Sequence, residues 1–282
     1  MICLLPQHVI DQIAAGEVVQ RPVSVVKELL ENSIDAGATH IVVHVERGGL
    51  SKLSISDNGC GISKTDLPLL ATRHATSKLT SVDDFETLQT FGFRGEAVAA
   101  TSMVSRLLTV TTRTASSSVA YSQTYQNGQP TTSNAKPCAR TVGTTIVVQD
   151  LFHNVPHRQK AYSKKESEEY AKILAVVQQY AVHYPTVGFV CQRQRRTSGK
   201  SSNRGGGGSV LIDCNTSQIP AVKALLQHRD AAVSKADNNN DNVDVDDKDR
   251  SVRVNDATKQ ILSHVLEANL KDHLLDFQCS SP

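Results

Sequence analysis

Residues 22–61 read PVSVVKELLENSIDAGATHIVVHVERGGLSKLSISDNGCG. Pro22 suits the first position of a helix, where its missing N–H costs nothing, and Gly37 supplies a stop. A helix is predicted over 22–36. At 100° per residue Glu28, Asn32 and Asp35 share one narrow arc, with Val23, Val26, Leu30 and Ile34 roughly opposite. His40–Glu46 is rich in β-branched residues and predicts a strand. Arg47-Gly48-Gly49 reads as a hairpin turn. Leu53 and Ile55 then alternate with serines in a returning strand that ends at Asp57.

Working outward, residues 59–95 are rich in Gly, Thr, Ser and Lys and predict short helices within a long loop. A helix over 96–104 and strands over 106–112, 119–125 and 144–149 follow. Glu166–His183 is amphipathic, with Ile173, Leu174, Val177 and Tyr180 on one side. Val187–Cys191 closes the pattern as a last strand. Beyond it the composition changes. Arg193, Arg195, Arg196, Lys200 and Arg204 surround a polar stretch ending in Gly205–Gly208, a linker by composition. Asp237–Asp249 is Asn- and Asp-rich and reads as a disordered insertion. Ile219–Gln227 and Thr258–Leu275 look helical.

The chain has 282 residues, with 30 Lys plus Arg against 28 Asp plus Glu, so net charge alone does not mark a nucleic-acid binder. Six scattered cysteines form no C-x-x-C pair, which argues against a zinc ribbon or a disulfide scaffold and for free thiols inside a cell. No apolar run approaches the ~20 residues needed to cross a bilayer.

The chemistry-bearing residues come in a fixed order. Alone, E-x-x-x-N describes many surface helices. Asp57-Asn58-Gly59-Cys60-Gly61 follows it at a strand end, where a fixed carboxylate can accept a hydrogen bond from an exocyclic amine such as that of adenine. The glycines let the backbone turn tightly beside a flat base. Thr76-Ser77-Lys78 offers hydroxyls and an ammonium to phosphate oxygens. Gly92-Phe93-Arg94-Gly95-Glu96 leads into a helix, whose free N–H groups and dipole favour an anion. Gly143-Thr144 opens a strand that could close the far side. Gly199-Lys200-Ser201 spells the end of a P-loop, but Gln194 stands where the leading glycine belongs, and the stretch is not between strand and helix.

Together these elements resemble the GHKL ATPase superfamily. The runs QIAAGEVVQRPVSVVKELLENSIDAGAT, SDNGCGI, RHATSKL and FGFRGEA, from Gln12 to about Ala97, are similar to the MutL family of DNA mismatch repair proteins, as is VGTTIVVQDLFHNVPHRQKA over 142–161. Residues 167–183 look most like the eukaryotic MutL homologue shared by the repair heterodimers. The resemblance implies an α+β fold: a two-layer α/β sandwich of the GHKL (Bergerat) type with a mixed, largely antiparallel sheet. An incomplete ribosomal-protein-type α/β subdomain would follow. The expected division is an ATPase domain over 1–193, a basic Gly-rich linker over 194–208, and the second subdomain over 209–282 with a disordered insertion at about 234–252.

The resemblance also assigns roles. Glu28 would activate water as general base. Asn32 would hold Mg²⁺ bridging the phosphates of the substrate ATP. Asp57 would read adenine, with Gly59 and Gly61 beside it and Thr144 supporting that end, and Asp35, Ala36 and Ile62 would also belong to the nucleotide site. Thr76, Ser77 and Lys78, with Gly92, Phe93, Arg94, Gly95, Glu96, Ala97 and Val98, would form lid and phosphate contacts. The implied protein is a slow Mg-dependent ATPase switch. Its lid, 60–95, would order on ATP and promote N-terminal association around DNA. Its implied partners are the DNA backbone, a second MutL-type subunit in a heterodimer and a MutS-type mismatch recognition complex, in the nucleus and with no membrane. The alternatives are another GHKL enzyme (gyrase-type, sensor kinase or heat-shock chaperone) and a non-catalytic scaffold. The sequence departs from the family at Gln159, where the family has Arg, and at Val98, where Leu is usual. No stretch resembles the family's later lysine-bearing segment, so nucleotide binding with poor hydrolysis is expected of this chain.

Overall fold

The structure, a computed structural model, describes residues 3–78, 90–92, 94–194, 210–236 and 247–265. One mixed sheet contains the strands β1 (His40–Glu46), β2 (Lys52–Asp57), β3 (Ser105–Arg113), β4 (Ala120–Gln126), β5 (Gln129–Pro130), β6 (Lys136–Cys138), β7 (Gly143–Leu151), β8 (Gly188–Gln194) and β9 (Val210–Asn215). They run in the order β5-β4-β3-β7-β2-β1-β8-β9, with β6 also beside β4. Among the described strands β1 and β8 pair in parallel and the other pairings are antiparallel. The helices are α1 (Gln7–Val18), α2 (Pro22–Asp35), α3 (Ala97–Val104), α4 (Pro156–Ser163), α5 (Glu166–His183), α6 (Pro220–Ala236) and α7 (Asp247–Val265).

Strand periodicity explains the layering. Ile41, Val43 and Val45 of β1, Leu53 and Ile55 of β2, Leu108 and Val110 of β3 and Val148 of β7 are buried in one cluster with Val26 and Leu30 of α2 and Ile173 and Val177 of α5. The opposite face is polar. Hydroxyl pairs cross it between neighbouring strands: Ser56 with Thr145 at 2.9 Å, Thr109 with Thr124 at 3.1 Å, and Thr111 with Ser122 at 3.1 Å. β-branched threonines suit such a half-exposed pleated surface. The arrangement is the expected two-layer α/β sandwich with a mostly antiparallel sheet.

Several expectations need adjustment. The buried residues of α2 are Pro22, Val25, Val26, Leu29, Leu30, Glu31 and Ser33. Val23 and Ile34, on the arc opposite Glu28 and Asn32, are only partly buried, because the helix turns Val25 and Leu29 inward. Val187–Cys191 was expected to be the last strand, but β8 continues to Gln194 and pairs with β9. Residues 210–215 therefore extend the same sheet. Thr216 repeats the link, its Oγ1 accepting a hydrogen bond from Phe189 N at 2.9 Å. Val222, Leu225, Ala257 and Ile261 join the common core. The insertion expected at about 234–252 has helical ends, since α6 reaches Ala236 and α7 begins at Asp247. The low-complexity centre of that insertion, most of the linker and the Gly199-Lys200-Ser201 triplet lie outside the described residues.

Candidate active site

A cavity of about 1150 Å³ opens between α2, the end of β2 and the start of α3. Its walls include Glu28, Asn32, Asp35, Ala36, Asp57, Gly61, Ile62, Thr76, Ser77, Lys78, Gly92, Arg94, Gly95, Glu96, Ala97, Val98 and Thr144. The sequence motifs thus converge on one space. Gly59 does not line it, and Phe93 lies outside the described residues.

At the sheet end of the cavity, Asp57 is fixed from three directions. Its Oδ1 accepts Gly59 N at 2.9 Å and Thr144 N at 3.1 Å, and its Oδ2 accepts the Ser33 hydroxyl at 3.0 Å. A carboxylate offers about four lone-pair positions, so one on Oδ2 remains for a ligand donor. Burial raises the Asp57 pKa, while the Gly59, Ser33 and Thr144 bonds and the Arg140 charge oppose it. Arg140 also donates to the Asp57 carbonyl at 2.9 Å.

The glycines of this corner are set by space. A Cβ on Gly59 would lie 2.8 Å from both Ala36 Cβ and the Ala36 carbonyl. Gly61 has φ +78° and its Cβ would meet the Arg113 carbonyl at 2.2 Å. Asn58 faces away from the cavity and ties the start of β1, its Oδ1 accepting Thr39 N at 2.9 Å and His40 N at 2.8 Å. Ile62 N donates to Thr112 Oγ1 at 2.8 Å, and Thr112 meets Thr144 Oγ1 at 3.1 Å.

At the other end, Lys78 Nζ donates to Asn32 Oδ1 at 3.1 Å and pairs with Asp35 Oδ2 at 2.6 Å. Asp35 also accepts the backbone N–H groups of Phe91 and Gly92, each at 3.1 Å. It therefore builds the loop that faces Asn32. Thr76 Oγ1 accepts Lys78 N at 3.1 Å, which turns the lysine into the cavity. Glu96 is occupied by Arg73 at 3.3 Å and His74 at 3.2 Å, and Arg73 reaches on to Asp11 of α1 at 2.8 Å. Its carboxylate braces the start of α3, and a negative charge there is a poor phosphate contact. The Glu28 pKa is raised, first by burial and then by the charge of Glu31, against the opposing Lys27, Arg94 and Lys78.

Sequence reasoning missed Ser33, Thr112, Arg140 and Glu31. Ser33 and Thr112 carried a readable sign, because each is a polar residue in an inward row: Leu29 to Ser33 on α2, and Leu108, Val110 and Thr112 on β3. Arg140 and Glu31 gave no sign of the partners that tie them to the site, Asp57 and Tyr180, which are distant in sequence.

Residues 20–150 match the family model described as histidine kinase-, DNA gyrase B- and HSP90-like ATPase. Over 181 residues the chain is 52% identical to the DNA mismatch repair protein MutL of Proteus mirabilis, covering 64% of this chain and 27% of that protein. The MutL of Yersinia pestis is equally similar, 52% identical over 181 residues and 28% covered. The chain thus spans only about a quarter of the length of these relatives. Among solved structures, the N-terminal domain of a DNA repair protein superposes with a TM-score of 0.61 at 32% identity, covering 73% of this chain and 55% of the other. The Aquifex aeolicus MutL ATPase domain complexed with ADP gives 0.50 at 30% identity, covering 66% of each. The nuclear setting expected from the eukaryotic resemblance is corrected by these matches: the similar mismatch repair proteins are bacterial, and bacteria have no nucleus.

Proposed function

Since the chain belongs to the MutL family of DNA mismatch repair proteins, by way of its GHKL-type ATPase domain, we propose that it binds ATP in the cavity beside α2 and hydrolyses it slowly as a switch. The observation that carries this reading is the shared cavity. Asp57, braced by three donors yet keeping one acceptor position, faces the same space as Glu28 and Asn32. In this reading the open Asp57 position accepts the adenine amine. The phosphates extend toward α3, where the N-terminal N–H groups and the helix dipole favour anionic oxygens. Glu28 takes a proton from the attacking water, whose oxygen bonds to the terminal phosphorus as the bond to the ADP oxygen breaks. ADP and phosphate result.

The residues suit Mg²⁺. Asn32 supplies a hard amide oxygen to the cavity, and a cationic ammonium already sits 3.1 Å from it. Mg²⁺ commonly takes one or two protein oxygens and fills its octahedron with phosphate and water. Bound there, it would neutralise charge on the phosphates. Lys78 would then exchange Asn32 for a phosphate oxygen.

The loop from 60 to 95 would close over ATP because phosphate contacts favour the closed form, and only such a difference in affinity shifts a population. Closure would promote association with a second MutL-type N-terminal half, either another copy or a paralogue forming a heterodimer. DNA is proposed as a backbone ligand with salt-sensitive affinity, and a MutS-type complex as the upstream partner. Equilibrium binding of Mg-ATP tests the core of the reading. The parent chain should bind, and Asn32→Ala should bind at least about tenfold more weakly if it loses a metal-bridged contact. Binding without hydrolysis would favour the scaffold alternative. No binding by the parent would end the nucleotide assignment.

A further inference from the structure

Glu31 is a charged side chain that the hydrolysis reading leaves unused, although the residue is only 7% exposed. It lies one helical turn beyond Glu28 on α2, at the spacing where side chains are neighbours. Its Oε1 accepts the Tyr180 hydroxyl of α5 at 2.5 Å and the Lys27 ammonium at 2.9 Å. Tyr180 is itself packed between rings. Its ring stacks on Tyr184 with centroids 6.2 Å apart, and Phe91 meets the two rings edge-on at 6.5 and 6.0 Å. Phe91 in turn is anchored through its backbone N–H to Asp35. A helix carboxylate, a tyrosine from the neighbouring helix and a residue of the loop over the cavity thus form one connected unit beside Glu28.

We propose that Glu31, held in place by Tyr180, is a positioning residue that keeps a fixed negative charge against Glu28 and so strengthens Glu28 as a base. This rests on the reading of Glu28 as the group that takes the proton from water. A like charge at this spacing disfavours ionisation of its neighbour, and a carboxylate with a higher proton affinity is the better proton acceptor near neutral pH. The groups around Glu28 frame the effect. Glu31 raises its proton affinity, Lys27 on the same helix and Lys78 and Arg94 from the loop side lower it, and Tyr180 faces it from α5. Tyr180 makes the Glu31 charge dependable by holding its carboxylate. Phe91 makes the pair responsive to the loop, because the rings that hold Tyr180 include one from the loop itself.

The test is a titration of the Glu28 carboxyl by carbon NMR, assigned by its loss in Glu28→Gln, alongside the pH profile of ATP hydrolysis. In Glu31→Gln the Glu28 midpoint should fall by about one pH unit, the size expected of a neighbouring unit charge. The acid limb of the hydrolysis profile should move the same way, while affinity for a non-hydrolysable ATP analogue changes less than about twofold. Tyr180→Phe keeps the ring packing and frees Glu31 to swing away, so it should give the same direction and a smaller shift. It also serves if Glu31→Gln fails to fold. An unchanged Glu28 midpoint in a folded variant overturns the proposal. A shifted midpoint in a chain that shows no hydrolysis upholds the pairing and overturns the hydrolytic reading instead.

Discussion

At the scale of single residues, the strongest demand falls on Glu28. A positioned base typically contributes ~10²–10⁴ in rate. Glu28→Ala should therefore slow single-turnover hydrolysis by about that factor and leave Mg-ATP affinity near the parental value; hydrolysis at the parental rate would remove Glu28 from the mechanism. The sign of the pH dependence follows from the raised Glu28 pKa. A base must be ionised to work, so the rate should fall with decreasing pH through a midpoint above the ordinary glutamate range. The linkage to stability runs the other way. A carboxyl whose folded pKa is raised favours the fold while protonated, and that contribution is lost as pH rises through the folded value. In the proposed role, an ionised Glu28 is thus a cost to the fold, as expected at an active site. Glu28, Asn32 and Asp57 were legible because each sits at a position fixed by local structure: one helix face and one strand end. Their supports were not. Ser33 meets Asp57 across 24 positions, Arg140 reaches its carbonyl across 83, and Tyr180 meets Glu31 across 149. Such partners are selected by the tertiary fold.

At the scale of elements, readability tracks punctuation. α2 has proline at its start and glycine just beyond its end, and β1 and β2 are joined by a glycine pair with positive φ at Gly48 and Gly49. α1 has no side-chain cap, contains Gly16 and fully buries only Ala15, so neither signal nor period marks it. It is held from outside instead. Arg158 of α4 donates to the carbonyls of Gly16 at 2.7 Å and Val19 at 3.0 Å. α4 buries no residue fully and went unread as well, although Pro156 at its first turn was a usable sign. Gly95 shows how tightly the element ends are built. It has φ +62° just before α3, and a Cβ would lie 2.3 Å from the Ala75 carbonyl. Gly95→Ala must pay left-handed strain and separate the Thr76–Lys78 loop from the start of α3. Thermal unfolding should drop by roughly 2–8 °C, from ~1–2 kcal/mol of strain in a domain of this size. The stabilisation expected of the parent with Mg-ATP should largely disappear, because the N–H groups and Lys78 no longer face one space. A variant that melts and responds to nucleotide like the parent would show that this junction is not part of the site.

At the scale of the whole molecule, the composition break after Gln194 suggested a boundary between domains, whereas the hydrogen bonds run across it. β9 pairs with β8 from Val190 to Gln194, and Cys191 faces Cys214 in that ladder. Asp213 of β9 accepts the Tyr170 hydroxyl of α5 at 2.6 Å and pairs with Arg193 at 3.0 Å. The intervening residues hid this continuity, since a polar, Gly-rich stretch reads alike whether it separates domains or joins two adjacent strands. The distinction has an energetic consequence. Cys214, Ile219, Val222, Leu225, Ala257 and Ile261 are all buried in the core shared with α5 and β8. At ~1.5–3 kcal/mol for each large buried apolar side chain, their loss rivals the ~5–15 kcal/mol that stabilises a typical domain. A chain ending at Gln194 would also leave β8 as an open edge carrying unpaired backbone groups, a template for aggregation. Such a chain should therefore lack the cooperative thermal transition of the 282-residue protein or aggregate on expression. If it instead melted cooperatively at the same temperature, the strands and helices beyond 194 would be an appendage, and the site on α2 and β2 would not depend on them. If the expectation holds, the support for the cavity extends through α5, which contacts β9 through Tyr170 and Glu31 through Tyr180.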